Sequence, residues 1–443
     1  MSAPDVRERM REDWNRRARE DAKYYVAFGR RGQDDEEFFA TAREVAHGLE
    51  FELKRLPPGN PRARRALEIG CGPGRLMRPM SAHFGEIHGV DVSDGMVALA
   101  REKLRAVPHA HVHRNDGATL AAFADDSFDF VYSYAVFQHI PSRDVVFEYL
   151  RESRRVLKPG GILRCQINGL PETAARYDTW SGVRISAREA ARFALENDFQ
   201  LLALEGASTQ YLWVTLRKQP AGWAREVAAR PACWTARIRR ITNAHSSEPA
   251  VPNRGRFASI ALWLEGLPEE CDLNRLAVRI GGAEGAGFFL GPADADGLRQ
   301  MNVALPPGLA TGLQPLRLEW LGQSVAGGAF LRVIPPGPAV PRIIAVSDGI
   351  DLLSGTRIVT NSVKVTIEEA GDLSGFQATV DGQPVKDLDI FCTDPLPPCH
   401  EINFQLPEGA GPGRTLLAMR LGSRRFAPVE IEIADRRAHP PGA

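Results

Sequence analysis

Arg64–Met80 reads RRALEIGCGPGRLMRPM. Arg65–Cys71 is a short apolar run of the kind a buried strand uses, and Arg75–Phe84 carries helical spacing. Between them, glycine stands at 70, 72 and 74. A strand, a glycine turn and a helix bring bare backbone N–H groups to a ligand. The dinucleotide fingerprint G-x-G-x-x-G needs its third glycine at 75, where this chain has Arg75. Glu68 stands just ahead of the first glycine. A diphosphate disfavours an acid there, whereas an ammonium group welcomes it. Asp91 ends the next apolar run, Ile87–Val92, about twenty residues beyond Gly70, where an acid accepts hydrogen bonds from ribose hydroxyls. Together these residues describe a nucleoside with an amino-acid-like tail.

Outward from this stretch, strand and helix signals alternate. Met96–Leu104 is helical, and His111–Asn115, Phe128–Ala135 and Ile162–Ile167 read as strands. Val145, Tyr149, Leu150, Ser153, Val156 and Leu157 share one helix face, which KPGG at Lys158–Gly161 is expected to end. SARE at Ser186–Glu189 spells a capping box. Phe199–Leu204 and Tyr211–Leu216 read as two closing strands, one of them antiparallel. Alternating units of this sort give an α/β fold with helices on both faces of a parallel sheet.

The segments ALEIGCGPG, GVDVSDGMV, HRNDGATL, DDSFDFVYSYAVFQHI and RVLKPGGIL, in this order and spacing, resemble the class I S-adenosylmethionine-dependent methyltransferases, in particular the type-11 small-molecule group. The resemblance runs from Arg65 to Lys218. It implies a Rossmann-like, mostly parallel sheet of seven strands with the last antiparallel, and S-adenosylmethionine as cofactor. It implies that Glu68, Gly70, Cys71, Gly72 and Gly74 line the methionine part, and that Asp91, with Val92 beside it, holds the ribose hydroxyls. Met96 would pack on adenine, Asp116 would bond the adenine amino group with Gly117 beside it, and Tyr134 would lie near the sulfonium and the acceptor. Plainer readings stand beside these: Glu68 as a cap, Met96 as core, Tyr134 as packing.

Methyl transfer from a sulfonium mainly needs alignment and exclusion of water. A hydroxyl acceptor also benefits from a base. His139 in FQHIP is the nearest candidate in sequence, which makes His139 and Tyr134 the candidate catalytic residues. A histidine at that place in the resembled family is often structural, and both readings stay open. Two segments are expected to shape the acceptor site. Val6, Met10, Trp14, Ala18 and Ala22 form one apolar stripe of an N-terminal helix, which either packs on the catalytic domain or closes as a lid with Trp14, Tyr24 or Tyr25. Leu170–Arg184 carries Arg176, Tyr177, Trp180 and Arg184, which suit a polar acceptor or an ordinary surface loop.

Beyond Lys218 the pattern changes to short β-type runs separated by Gly, Pro, Asn and Asp. RQMNVALPPG (Arg299–Gly308) resembles HEINFQLPEG (His400–Gly409), and FLRV (Phe330–Val333) matches EIEI (Glu430–Ile433). A repeat of this kind fits two immunoglobulin-like sandwiches in tandem, with VIPPGPAVPR (Val333–Arg342) as a stiff spacer. They resemble bacterial TIG-type modules, in which the segment IGGAEGAGFFLGPADADG (Ile280–Gly297) would be a solvent-side hairpin. The expected organisation is a helical lid or cap at 1–60, the methyltransferase domain at 61–218, a linker at 219–235, sandwiches at 236–336 and 337–436, and a disordered tail at 437–443. Cofactor binding is expected not to need residues 236–443.

The bulk numbers bound the rest. A chain of 443 residues exceeds one ordinary core. Its formal net charge of zero gives no global field toward nucleic acid or an anionic membrane, and neither is expected as a partner. No run is apolar and long enough to span a bilayer, the N-terminal MSAPDVRERMREDW is charged, and the six cysteines include no CxxC pair. The expectation is a cytoplasmic protein without a metal site. The expected acceptor is a small molecule or saccharide, and the sandwiches would take a protein or glycan partner. The alternative is a scaffold that binds the cofactor without turnover.

Overall fold

α1 (Ala3–Ala27), α2 (Asp35–Ala40) and α3 (Arg43–Glu52) lead into β1 (Arg65–Ile69), the strand that precedes the glycine turn. The computed structural model describes residues 3–27, 32–173, 176–230, 232–255, 257–349, 354–394 and 398–435. The expected tail at 437–443 lies outside them. The chain divides into two units: Met1–Ala22 with Phe39–Gly337, and Lys23–Phe38 with Pro338–Ala443. α1 changes direction at Asp21, whose φ of −171° and ψ of 90° are not helical.

In the first unit, α4 (Met77–Met80), β2 (Glu86–Asp91), α5 (Asp94–Lys103), β3 (Ala110–Arg114), β4 (Phe128–Ser133), α6 (Arg143–Val156), β5 (Leu157–Ile167), α7 (Ala187–Glu196), β6 (Phe199–Glu205) and β7 (Leu212–Lys218) follow β1. The strands lie in the order β3-β2-β1-β4-β5-β7-β6. β1 is parallel to β2 and β4, while β7 runs antiparallel to both β5 and β6. This is a Rossmann-like mixed sheet. Its central strands are apolar almost throughout because both faces are covered. Leu67, Val131, Leu163 and Cys165 face α6 and α7, whereas Ala66, Phe130, Tyr132 and Ile162 join Leu49, Met77, Met80 and Phe84 on the other side.

Two local readings change. The helix after the glycine turn is a single turn, Met77–Met80, followed by a 3-10 turn at Ser81–His83. Pro79 has no N–H to continue an upstream ladder, and the glycines hold the chain outside helical geometry. α6 ends at Val156, ahead of KPGG as expected, but the strand read as Ile162–Ile167 starts earlier and takes in KPGG, with the register shifting between Phe128 and Phe130 of β4. The capping box is present as read: the Ser186 hydroxyl accepts from Glu189 N–H, and the Glu189 carboxylate accepts from Ser186 N–H at 2.9 Å.

α8 (Trp223–Ala229) lies inside the stretch read as a linker, and its Trp223 and Val227 enter the core of the strands that follow. These are β8 (Arg237–Asn243), β9 (Ala250–Pro252), β10 (Ser259–Glu265), β11 (Leu276–Ile280), β12 (Ala283–Ala293), β13 (Arg299–Ala304), β14 (Gly312–Trp320) and β15 (Gln323–Ile334). One layer is β8-β10-β13-β12, and β12 continues into β11-β14-β15-β9. The hairpin expected on the solvent side is seated otherwise: Phe289 of β12 pairs with Ala203 of β6 and its ring lies 6.0 Å from that of Phe51. Further bonds fasten this seam. Leu273 N–H donates to Leu201 O at 2.9 Å, the Gln200 amide donates to Glu269 O and Cys271 O, and the Asn274 amide donates to Ala191 O.

In the second unit, β16 (Arg342–Asp348), β17 (Arg357–Ile358), β18 (Ser362–Glu368), β19 (Phe376–Val380), β20 (Gln383–Pro384), β21 (Asp389–Asp394), β22 (Cys399–Gln405), β23 (Gly413–Leu421), β24 (Arg424–Arg425) and β25 (Val429–Ile433) form two sheets. Val363, Val365, Ile367, Ile402 and Phe404 of one sheet share a core with Ala378, Val380, Leu417, Met419 and Ile431 of the other. Alternate residues point inward, the period-two pattern of a half-buried strand. Among the described residues, no helix is long and apolar enough to cross a membrane.

Candidate functional site

The connections after β1 and β4 flank the point where strand order reverses, because β1 leads to β2 on one side and pairs with β4 on the other. Crevices of open α/β sheets form at such points, outside the carboxyl ends of the strands. The glycine turn lies there. Gly70, Gly72 and Gly74 all have positive φ, at 71°, 50° and 83°. A Cβ on Gly70 would overlap the Val136 side chain, and one on Gly74 would come within 2.9 Å of Leu104 Cδ1. Gly70 and Cys71 N–H both donate to Val90 O, which holds the turn against the end of β2.

Asp91 closes the turn from the other side. Its carboxylate accepts from Gly72 N–H and from Ser93 N–H, each at 2.9 Å. Burial raises its pKa to about 6, opposed by these backbone N–H groups. Val92 beside it touches the site of Gly117, where an added Cβ would meet Val92 Cγ2 at 3.1 Å. Met96 is buried in the first turn of α5, and its N–H donates to the Ser93 hydroxyl.

Glu68 is 3% exposed, and Tyr132 O–H donates to it at 2.9 Å. Burial raises its pKa to about 8, against the pull of the Tyr132 bond and of the Arg75 charge. Arg75 is itself buried and donates to Thr41, with its guanidinium 5.4 Å from the Tyr134 ring centre. Tyr134 stacks on Trp213 with ring centres 5.6 Å apart.

A cavity of about 310 Å³ opens beside Tyr134, lined by Glu44, Leu49, Arg164, Gln166, Tyr211 and Trp213 among others. The sequence reading passed over these residues. One signal was available: Arg164 and Gln166 alternate within the apolar strand ILRCQI, so both face one side of the sheet. The far-sequence partners Trp213 and α3 carry no such mark.

Asp116 is half-exposed and engaged locally. Its Oδ1 accepts from Ala118 N–H, Thr119 N–H and the Thr119 hydroxyl, and its Oδ2 pairs with Arg7 at 2.9 Å. Arg7 belongs to α1, which lies along these loops as far as Ala22. Asn15 Oδ1 accepts from the Ser93 hydroxyl and Gly95 N–H. Arg17 donates to Thr179 O and Oγ1, and Thr179 in turn donates to Asp13. Trp14 meets the His139 ring edge-on at 5.6 Å, and the Arg17 guanidinium lies 4.6 Å from the Trp14 ring and 5.4 Å from the Trp180 ring. Trp14, His139 and Trp180 therefore come together around Arg17.

His139 Nδ1–H donates to Trp180 O at 3.0 Å, while Nε2 sits 3.4 Å from the Gln138 amide nitrogen. Burial lowers its pKa to about 4, so the ring is neutral at pH 7. Other expected acceptor residues are placed differently. Arg176 is exposed, and Tyr177 packs against the sheet core with its hydroxyl accepting from Thr173 N–H. Arg184 donates to Pro171 O. Tyr24 and Tyr25 fall in the second unit, where their rings meet edge-on at 5.2 Å. Among the described residues, no cluster of His, Cys, Asp and Glu could hold a metal ion.

Phosphoethanolamine N-methyltransferase 2 of Caenorhabditis elegans is 29% identical over 161 residues, covering 34% of this chain and 36% of the relative. Demethylmenaquinone methyltransferase of Staphylococcus haemolyticus is 34% identical over 105 residues, covering 23% and 42%. The ubiquinone biosynthesis O-methyltransferase of Ruegeria pomeroyi is 34% identical over 112 residues, covering 25% and 44%. The chain thus spans less than half the length of each of these relatives. The solved structure of Haemonchus contortus phosphoethanolamine N-methyltransferase 1 with phosphoethanolamine and S-adenosylhomocysteine aligns at a TM-score of 0.37 and 14% identity, covering 50% of this chain and 51% of that one. Residues 67–165, which carry the glycine turn, Asp91, Asp116, Tyr134 and His139, match the family described as a methyltransferase domain.

Proposed function

We propose that the protein is an S-adenosylmethionine-dependent methyltransferase acting on a small-molecule or saccharide acceptor. The observation that supports this most is the joining of Asp91 to the glycine turn through Gly72 N–H, with the buried acid Glu68 behind the turn. The donor set suits the cofactor. Asp91 is an acceptor at the carboxyl end of β2 for ribose hydroxyls, and Glu68 is an acid for an ammonium group. The positive φ of all three glycines lets the turn fold tightly against Val136 and Leu104 at the end of β1.

In this proposal, Glu68, Gly70, Cys71, Gly72 and Gly74 seat the amino-acid tail, Asp91 and Val92 the ribose, and Met96, Asp116 and Gly117 the adenine. The cofactor supplies a methyl group on a sulfonium, activated for attack by an oxygen, nitrogen or carbon nucleophile. The chain's own residues orient and exclude water. Tyr134 bounds the acceptor cavity, and the size of that cavity supports a small acceptor. α1 caps the loops through Arg7, Asn15, Trp14 and Arg17. His139 presents a neutral Nε2 that takes a proton, or serves as the anchor of residues 178–181.

The proposed organisation differs from the sequence reading in two places: the cap is confined to residues 3–22, and α8 of the stretch read as a linker joins the first sandwich. The two-sheet cores of residues 236–336 and 337–436 support an immunoglobulin-like reading with a partner-binding role. The test is incubation of the full chain with methyl-tritiated S-adenosylmethionine and fractionated small-molecule extract. The expected result is label in a low-mass product. Tight cofactor binding without transfer to any fraction would favour a binding scaffold instead.

A further inference from the structure

A second cavity, of about 600 Å³, lies where the mixed sheet meets the strands of residues 236–337. Its lining includes Lys54, Arg55, Arg217 and Arg299 against two acids, Glu269 and Glu270, both of them exposed at the rim. Gly160, near the amino end of β5, also lines it. The glycine turn and Asp91 follow carboxyl ends, so this cavity is separate from the candidate active site.

Two of the arginines are buried, and Arg217 is half-buried. Arg55 and Arg299 are 3% and 5% exposed. Arg55 has a carboxylate partner, Glu52, at 2.6 Å, and donates to Leu290 O. Arg217 and Arg299 have no carboxylate within ion-pair distance among the described residues. Arg217 donates to Arg55 O, and Arg299 to Gly291 O and Pro268 O. Arg55 Nη2 and Arg217 Nε have no hydrogen-bond partner. Burial and mutual repulsion lower the pKa of Arg299 to about 10. Buried cations left without a counter-charge are costly, and a planar guanidinium matches an oxyanion through paired N–H groups. Arg217 comes from β7 and Arg299 from β13, so one ligand touching both would tie the two layers together.

We propose that this cavity binds a small-molecule oxyanion, a phosphate monoester or free phosphate, between Arg217 and Arg299. A dianion is favoured over a carboxylate because neither guanidinium has a carboxylate within ion-pair distance among the described residues, Glu269 acting on both only from farther away. Neither the family match nor the proposed methyl transfer requires this site.

The test is calorimetric titration of the full-length protein with inorganic phosphate and, separately, glucose 6-phosphate, followed by S-adenosylmethionine. The expected result is saturable binding of at least one phosphate probe. Tighter binding of the ester would assign an ester site, and equal binding a free-phosphate site. Arg217→Gln and Arg299→Gln should each weaken binding at least tenfold while S-adenosylmethionine binding stays within twofold. Arg217→Lys keeps the charge without the fork and should weaken it severalfold, which covers a failure of either Gln variant to fold. Absence of binding to the wild type at 10 mM phosphate probe, roughly ten times a millimolar Kd, would overturn the proposal. So would unchanged affinity in the variants that fold. Failure of S-adenosylmethionine binding alone would count against the proposed function and leave this site standing.

Discussion

Glu68 sits where an acid is least comfortable, inside the sheet with one phenol and a nearby guanidinium for company. Its raised pKa of about 8 means that it keeps its proton at pH 7 unless a cation arrives. Seating an ammonium group there should release that proton. Cofactor affinity should therefore rise by up to tenfold per pH unit between pH 6 and 8 and level off above. Calorimetry at pH 7 in two buffers of different ionisation heat should report close to one proton released, and none would contradict the assignment. The same shift works on stability with the opposite sign to an ordinary salt-bridged acid. The unfolded chain loses this proton first, so the contribution of Glu68 to stability falls as pH rises from about 4.5 toward 8.

His139 is expected to leave no inflection in the rate between pH 5 and 8, because its ring is neutral throughout that range. His139→Asn, which retains a donor toward Trp180 O, should recover activity lost in His139→Ala if the residue positions residues 178–181. Equal loss in both variants, measured as kcat, would support proton transfer. At this scale the meeting of Glu68, Asp91 and the glycines at one end of the sheet was legible in the sequence, because their placement depends on spacing along neighbouring strands and one turn. It was silent on Arg7, Asn15 and Arg17, whose partners lie in loops far along the chain and which stand in an evenly charged helix.

Among elements, the glycine turn carries strain that can be separated into two parts. Gly70→Ala must place a side chain at φ 71° and against Val136, and should cost about 2–4 kcal/mol. Gly222→Ala meets the same backbone penalty at φ 85° with nothing within 4 Å, and should cost only about 1 kcal/mol. Urea unfolding of both variants checks this, and equal losses would place the strain in the backbone alone. The alternation of strand and helix was readable because each strand is a short apolar run closed by a turn signal. The helix after Gly74 is shorter than its apolar spacing to Phe84 suggests: it ends at Met80 and gives way to a 3-10 turn. KPGG marks the end of α6 correctly, but β5 begins ahead of Ile162, because loops and strand starts share those residues.

For the molecule as a whole, the seam between β6 and β12 decides which parts stand alone. Leu201, Gln200, Arg55 and Ala191 all find hydrogen-bond partners beyond residue 235. The cores of the first unit contain no residue beyond 337, and the core of the second contains none before it. A chain ending at residue 337 should bind S-adenosylmethionine within twofold of the full chain. A chain ending at 235 should melt at least 10 °C lower or aggregate, from loss of several buried hydrogen bonds at about 1 kcal/mol each. Equal melting of the two truncations would show that the seam contributes nothing. The independence expected of residues 236–443 failed to anticipate this seam because strand edges carry no sequence mark of what they pair with. β6 reads the same whether its edge meets water or Phe289.

The central claim is that the turn after β1 and the acid ending β2 hold S-adenosylmethionine. Its most direct test is calorimetric titration of S-adenosylmethionine into the full-length protein and into Asp91→Ala, with NAD as the control ligand. The account predicts saturable binding of S-adenosylmethionine to the wild type, about 100-fold weaker binding to the variant from loss of charge-assisted bonds to the ribose, a retained circular-dichroism spectrum, and no binding of NAD. Unchanged affinity in a folded Asp91→Ala protein, or binding of NAD in place of S-adenosylmethionine, would contradict it.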